Sequence, residues 1–254
     1  MIDMILALHL DTLFQLGGNH SKDKTIYVRD KLLDFLRREE VLLNTSGENF
    51  LIARDAVHFI DANNIYSQTT DVNQATVLLQ PFFERLLTTG EKWNYYDLKL
   101  LSSAIALSQD LEQARNLASK SMERIPDFRI NQCVDVLEGG LACNICSRLL
   151  YAKYIENDQD EEIINEFEMW FRKLEHLEDK QYKLTFPLDV TKIRWAILNQ
   201  NAKEIAKLIG DIEYSEDYPD EAIAVVLSEA RFYLNSEIYK SLKGGEGTCN
   251  TSVA

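Results

Sequence analysis

The sequence predicts an all-α protein made of stacked helical hairpins, and three observations predict it. Helix breakers are scarce: four prolines and ten glycines in 254 residues, three of those glycines in the last eleven, so few points force a helix to stop. Apolar residues recur at the helical period along most of the chain, with no convincing period-two stretch. Finally, the apparent helices are short and closely connected. Hairpins of that kind cannot bury both faces alone and must stack on one another.

Taken in order, residues 1–9 and 11–16 read as two short helical pieces, ended by Gly17-Gly18-Asn19. Ser21 can cap a long helix from Lys22 to about Leu43, whose apolar set Ile26, Leu32, Leu33, Leu36 and Leu43 lies on one face. Thr45-Ser46-Gly47 breaks it, and a helix from Glu48 to about Tyr66 follows. The next runs from Asp71 to Leu87, where Pro81 is expected to kink or split it. Then come Asn94 to Ser108, Leu111 to Arg124, and a longer helix from about Phe128 to Glu156. Gly139-Gly140 inside that helix marks either a weak point or a place where another backbone comes close. Asp160 to Leu177, Pro187 to Asn199, Ala202 to Ile212 and Tyr218 to about Leu242 complete the set, with Pro187 and Pro219 at first-turn positions. The expected division is a short N-terminal segment over 1–20, a main helical domain over 21–242 and a disordered tail over 243–254.

Charge narrows the function classes. With 41 acidic against 27 basic residues the net charge is −14. A field of that sign repels phosphate backbones and anionic lipid surfaces, so direct nucleic-acid binding by this chain alone is not expected. No apolar run approaches the ~18 residues of a membrane helix, and the first ten residues lack a basic segment and a cleavage signature. No membrane contact is expected, and a cytoplasmic location is.

Candidate chemistry is sparse. Cys143 and Cys146 are spaced like half a metal or redox motif, but no second pair accompanies them. On a helix they share one apolar face and read as buried thiols. The acidic run Asp158, Asp160, Glu161, Glu162, Glu166 and Glu168 opens a helix, where the dipole favours negative charge. His9, His20, His58 and His176 are scattered, and no phosphate loop or nucleophile elbow occurs. Neither an enzyme activity nor a metal or other cofactor is expected.

Leu98, Leu101, Ser102 and Ile105 on one helix, then Ala114, Ala118 and Ser121 on the next with Pro126 just after, fit a degenerate tetratricopeptide pattern. That pattern implies a TPR-like, right-handed α-superhelix with an extended concave face. Within it, Glu91-Lys92-Trp93-Asn94-Tyr95-Tyr96-Asp97-Leu98 resembles the E-x-W-x-Y-Y-[E/D]-[L/I] segment of the Rgg/MutR family of bacterial regulators. In that family a helix-turn-helix head precedes a helical, repeat-like domain that binds short signalling peptides. The resemblance spans roughly residues 22 to 240. It departs at the start, where no complete helix-turn-helix exists and residues 2–16 are similar only to the end of that head.

The resemblance implies a transcriptional regulator's sensor domain of the quorum-sensing type, whose ligand is a short signalling peptide. It would act indirectly, as a homodimer or as a mixed dimer with a full-length relative. Trp93, Tyr95, Tyr96 and Leu98 are expected to anchor one hairpin on the next. Polar residues on inward faces of later helices, Arg129, Asn131, Asn144, Arg148 and Arg194, are the candidate peptide contacts, since Arg can hold a carboxylate or carbonyl by fork-like hydrogen bonds. By resemblance the family uses Arg and Asn on the corresponding helix. The alternative is a generic helical-repeat adaptor for a protein partner.

Overall fold

The computed structural model describes residues 4–15, 22–69, 72–88, 93–128, 134–158, 160–178, 185–213 and 220–234. Among them the protein is all-helical, with no strand. The α-helices are α1 (Met4–Gln15), α2 (Lys22–Val41), α3 (Glu48–Thr69), α4 (Val72–Thr88), α5 (Tyr95–Ala104), α6 (Leu111–Arg124), α7 (Val134–Tyr154), α8 (Glu162–Glu178), α9 (Thr185–Leu198), α10 (Ala202–Glu213) and α11 (Asp220–Leu234). Short 3-10 turns follow α5 (Ile105–Leu107) and α6 (Ile125–Phe128).

Two rules of contact organise these helices. Neighbours in sequence pack as hairpins, α1 on α2, α3 on α4, α7 on α8 and α9 on α10. Odd-numbered helices also touch the next odd helix, so that α1, α3, α5, α7, α9 and α11 form one continuous row. The buried residues form a single cluster from Leu6 on α1 to Tyr233 on α11. Fully burying a Leu, Ile or Phe contributes about 1.5–3 kcal/mol, and Leu32, Ile52, Ile60, Phe82, Phe83, Leu100 and Phe167 are all sealed from water.

Several expectations are corrected. Residues 4–15 form one helix where two pieces were expected. On α2 the buried stripe is Val28, Leu32, Phe35 and Leu36, while Ile26 and Leu43 face solvent. Leu43 instead ends the helix in the left-handed region (φ 56°). There Asn44 N–H donates to the Glu39 carbonyl (2.9 Å) and Leu43 N–H to that of Glu40 (3.0 Å), a Schellman closure without its usual glycine. Gln200 (φ 54°) closes α9 in the same way, with Asn201 N–H bonded to the Ala196 carbonyl at 2.9 Å. Pro81 lies inside an unbroken α4, on its exposed side. The long helix is described from Val134 and ends at Tyr154, two residues before the expected Glu156, and Phe128 belongs to the 3-10 turn before it. Pro187, the third residue of α9, does lie in the first turn. Ser21, Gly17-Gly18-Asn19, Pro219 and residues 235–254 lie outside the described residues.

Gly140 sits where α7 crosses α5. A Cβ there would lie 3.7 Å from Ser102 Oγ and 3.9 Å from its Cβ, which is ordinary contact. Close approach is therefore present, but with room for a methyl group. Of the acidic run, Asp160 accepts the Glu162 N–H (2.9 Å) and Arg115 of α6 (2.9 Å), and Glu166 takes the other edge of the same guanidinium (2.8 Å). The Glu162 N–H and then Arg115 hold the Asp160 carboxyl below its usual range. This run is a helix start tied to a neighbour.

Candidate functional site

The Trp93–Leu98 segment is where α1, α3, α4 and α5 are joined. Asn94 and Asp97 form a reciprocal capping box at the start of α5, each side chain accepting the other's N–H at 2.9 Å. Buried Asp97 also takes Arg85 of α4 (2.6 Å), which reaches Asp55 of α3 (2.9 Å), and Asp55 takes Arg54 as well (2.8 Å). Burial pushes the Asp97 carboxyl up, and Arg85 opposes that shift. Trp93 and Leu98 are in the core. Tyr96 stacks with Phe14 of α1 (6.5 Å between ring centres), and Tyr95 packs on Tyr96 and Phe128. Lys99 lies over all three rings of Phe14, Tyr95 and Tyr96 and bonds Asp11 at 3.2 Å, while the Tyr96 hydroxyl donates to the same carboxylate (3.3 Å). Burial and then Asp11 push the Tyr96 hydroxyl to about 12. These contacts are architectural.

The inward polar residues are brought together in part. Arg129 and Asn131 lie outside the described residues. Asn144 donates to the Ser102 carbonyl (2.8 Å) and so bridges α7 to α5. Arg148 is fully buried, forked onto Glu156 at 2.8 and 3.0 Å, with its Nη2 3.4 Å from the Gln109 carbonyl. Arg194 forks onto Glu229 of α11 (2.8 and 2.9 Å), and its third nitrogen reaches the Cys143 carbonyl (2.8 Å) and sulfur (3.1 Å) on α7. The forks expected to hold a ligand carboxylate thus hold the chain's own Glu156 and Glu229. Burial works against the Arg194 charge, but Glu229, Cys143 and Tyr233 together outweigh it, so its pKa moves up.

Around that pair the odd row gathers a polar cluster that sequence reasoning missed. The Ser147 hydroxyl donates to Glu229 (3.3 Å). Burial first, and then the Glu229 charge, push the Tyr66 hydroxyl of α3 to about 12 and that of Tyr233 well above its usual range. Tyr66, Ser147, Tyr151 and Glu229 are half-buried, whereas Arg194, Cys143 and Tyr233 are sealed. The cluster is a rivet through α7, α9 and α11 with α3 at its edge. No sequence spacing announces it, because Glu229 stands 35 residues from Arg194.

A second place is concave. A cleft of about 440 Å³ lies between α8 and α10, floored by α9. Phe171, Trp195, Ala196 and Leu208 supply its apolar surface, and Lys192, Asn199, Asn201 and Glu204 its rim. Trp195 is backed by Phe167 (5.5 Å) and Phe171 (6.0 Å), which fix the plane of its ring. The Tyr154 hydroxyl lies 3.1 Å from the Ile197 carbonyl and 2.9 Å from that of Leu198, which steadies the end of α9. Asn201 caps α10 through the Glu204 N–H (3.2 Å), and Lys192 is paired with Asp189 (2.8 Å). Sequence reading singled out Arg194 and passed over Trp195 beside it. The signal was a tryptophan whose i+4 and i+6 neighbours are both asparagine.

The sequence matches no family model, and neither curated proteins nor solved structures return a match. Among the described residues no group of His, Cys, Asp and Glu is placed to hold a metal ion. No described helix is long and apolar enough to cross a membrane.

Proposed function

We propose that this chain is a peptide-binding regulatory module, similar to the sensor half of Rgg/MutR regulators, that acts on transcription through a dimer partner. It is a binding protein and not an enzyme, and TPR-like in its superhelix. The hairpins α1–α2, α3–α4, α7–α8 and α9–α10, together with the odd-row contacts, support the repeat reading, with α6 joined to the stack through α4 and α7. The Trp93–Leu98 segment supports the family likeness.

The observation that carries the binding function is the α8–α10 cleft. Its volume and its mix of apolar floor and few polar groups suit a small ligand surface. Its floor accepts one bulky apolar side chain. With the Asn199 amide donating to the Trp195 carbonyl (2.9 Å) and the Asn201 oxygen taking the Glu204 N–H (3.2 Å), the Asn199 oxygen and the Asn201 amide supply an acceptor and a donor to a peptide unit. The occupant is a short peptide bearing Leu or Phe.

Calorimetric titration with capped pentapeptides centred on Leu, Phe, Ser or Asp tests this. Binding is expected for the Leu and Phe peptides only, weakened roughly tenfold in Asn199→Ala, a loss of about 1.4 kcal/mol. Silence from every peptide overturns the peptide reading. Binding untouched by Asn199→Ala and Leu208→Glu moves the site away from this cleft.

A further inference from the structure

The charges around the α8–α10 cleft are unequally compensated. Two charged side chains line it, Lys192 and Glu204. Lys192 is already paired, its ammonium 2.8 Å from Asp189. Glu204 takes no hydrogen bond on its carboxylate among the described residues. Its one partner there is Lys207 at 3.9 Å, an ammonium that is 67% exposed. An ion pair so long and so wet contributes little.

The local fold explains why this carboxylate is left over. Glu204 is the third residue of α10, where a glutamate commonly turns back to the N–H of the capping residue. Asn201 does cap the Glu204 N–H, at 3.2 Å. The return bond is lost because the Asn201 N–H is committed to the Ala196 carbonyl (2.9 Å), part of the left-handed closure of α9 at Gln200. The Glu204 carboxylate therefore stands at the rim beside Asn199 and Asn201 with most of its capacity to accept unspent.

The α8 wall has the same sign. Between Lys153 and Arg172 the sequence holds seven acidic residues and no basic one. Arg148, Arg115 and Arg172 engage Glu156, Asp160, Glu166 and Glu168. Glu161 and Glu162, where α8 begins, are exposed and have no cation among the described residues. A net charge of −14 draws cations toward the molecule from further out. The apolar floor cannot tell a Leu peptide bearing lysine from one bearing glutamate, but this rim can.

We propose that the ligand of this cleft is a cationic peptide, with a lysine or arginine side chain next to its Leu or Phe anchor set against Glu204. The proposal rests on the peptide reading of the cleft and adds the charge class of the ligand.

The test is calorimetric titration with three capped pentapeptides centred on Leu that differ at one flanking position, Lys, Gln or Glu. The Lys peptide is expected to bind about fivefold more tightly than the Gln peptide, and the Glu peptide about fivefold more weakly, the size of a good exposed ion pair. This order should collapse in Glu204→Gln and in about 0.5 M salt. It should widen in Lys207→Gln, which removes the competing ammonium, and helical circular dichroism should be the same in all variants. Equal affinities for the three peptides overturn the charge preference and leave the cleft reading standing. A preference for the Glu peptide, or an order that survives Glu204→Gln, overturns it too. Silence from all three peptides overturns both readings.

Discussion

At the scale of single residues, buried charge decides which substitutions hurt. Arg85 joins two carboxylates, Asp55 and Asp97, that are themselves sealed from water. Removing one partner of a buried pair costs about 3–5 kcal/mol, so Arg85→Ala should lower urea-unfolding stability by about that amount. Asp97→Asn, which leaves Arg85 its bond to Asp55, should cost less. Gly140→Ala is expected to go the other way. The site has room for the methyl group, and a mid-helix glycine gives up about 0.5–1 kcal/mol relative to alanine. These sites were unequally legible. Asn94-x-x-Asp97 reads as a cap from spacing alone, because both partners lie within one turn. Arg85 and Arg194 announce only a cation, since their carboxylates arrive from other helices by tertiary packing. Trp195 was passed over because an aromatic residue in an apolar helix reads as core until its neighbours are known.

At the scale of elements, the helices themselves were legible and some of their ends were not. Leu111–Arg124 falls where periodicity puts it, and Ala202–Glu213 runs one residue past the expected Ile212. The ends of α2 and α9 were harder, because Leu43 and Gln200 occupy left-handed positions that sequence rules reserve for glycine or asparagine. A side chain there costs about 1 kcal/mol or more. Gln200→Gly should therefore raise the unfolding midpoint, with a gain of about 1 kcal/mol. Unchanged or lower stability would show that the Gln200 side chain makes up the difference. Pro81 teaches the opposite lesson. A residue expected to break α4 is accommodated within it, on the side facing water, where a freed carbonyl can bond solvent.

At the scale of the whole molecule, titration of buried groups sets limits on the pH range. Burial is the main reason the His58 imidazole is held below its usual value of 6.5, and its Nδ1 has no partner. The unfolded chain then takes up this proton before the folded one does. Stability is full above about pH 6.5 and falls as pH drops through that value. His58→Gln should flatten this slope in urea titrations between about pH 5 and 7. The tyrosines act at the other end. Tyr66 and Tyr96 stay neutral in the fold to about 12 and ionise near 10 when unfolded. Stability should therefore decline from about pH 10 upward, alongside late phenolate absorbance. The acidic net charge and the all-helical class were plain in the sequence. The polar rivet and the cleft were not, because both arise where helices distant in the chain meet.

The placement of α7 has a consequence for how the chain comes apart. It touches α5, α6, α8 and α9 at once, whereas α1 and α11 are held from one side only. Opening should then proceed inward from the extremities, with the middle surrendering last. Amide deuteration followed by peptide mass mapping should find the slowest uptake along residues 141–150 and a graded quickening toward either terminus. Uniform uptake along the chain would mean that the array melts as one cooperative block.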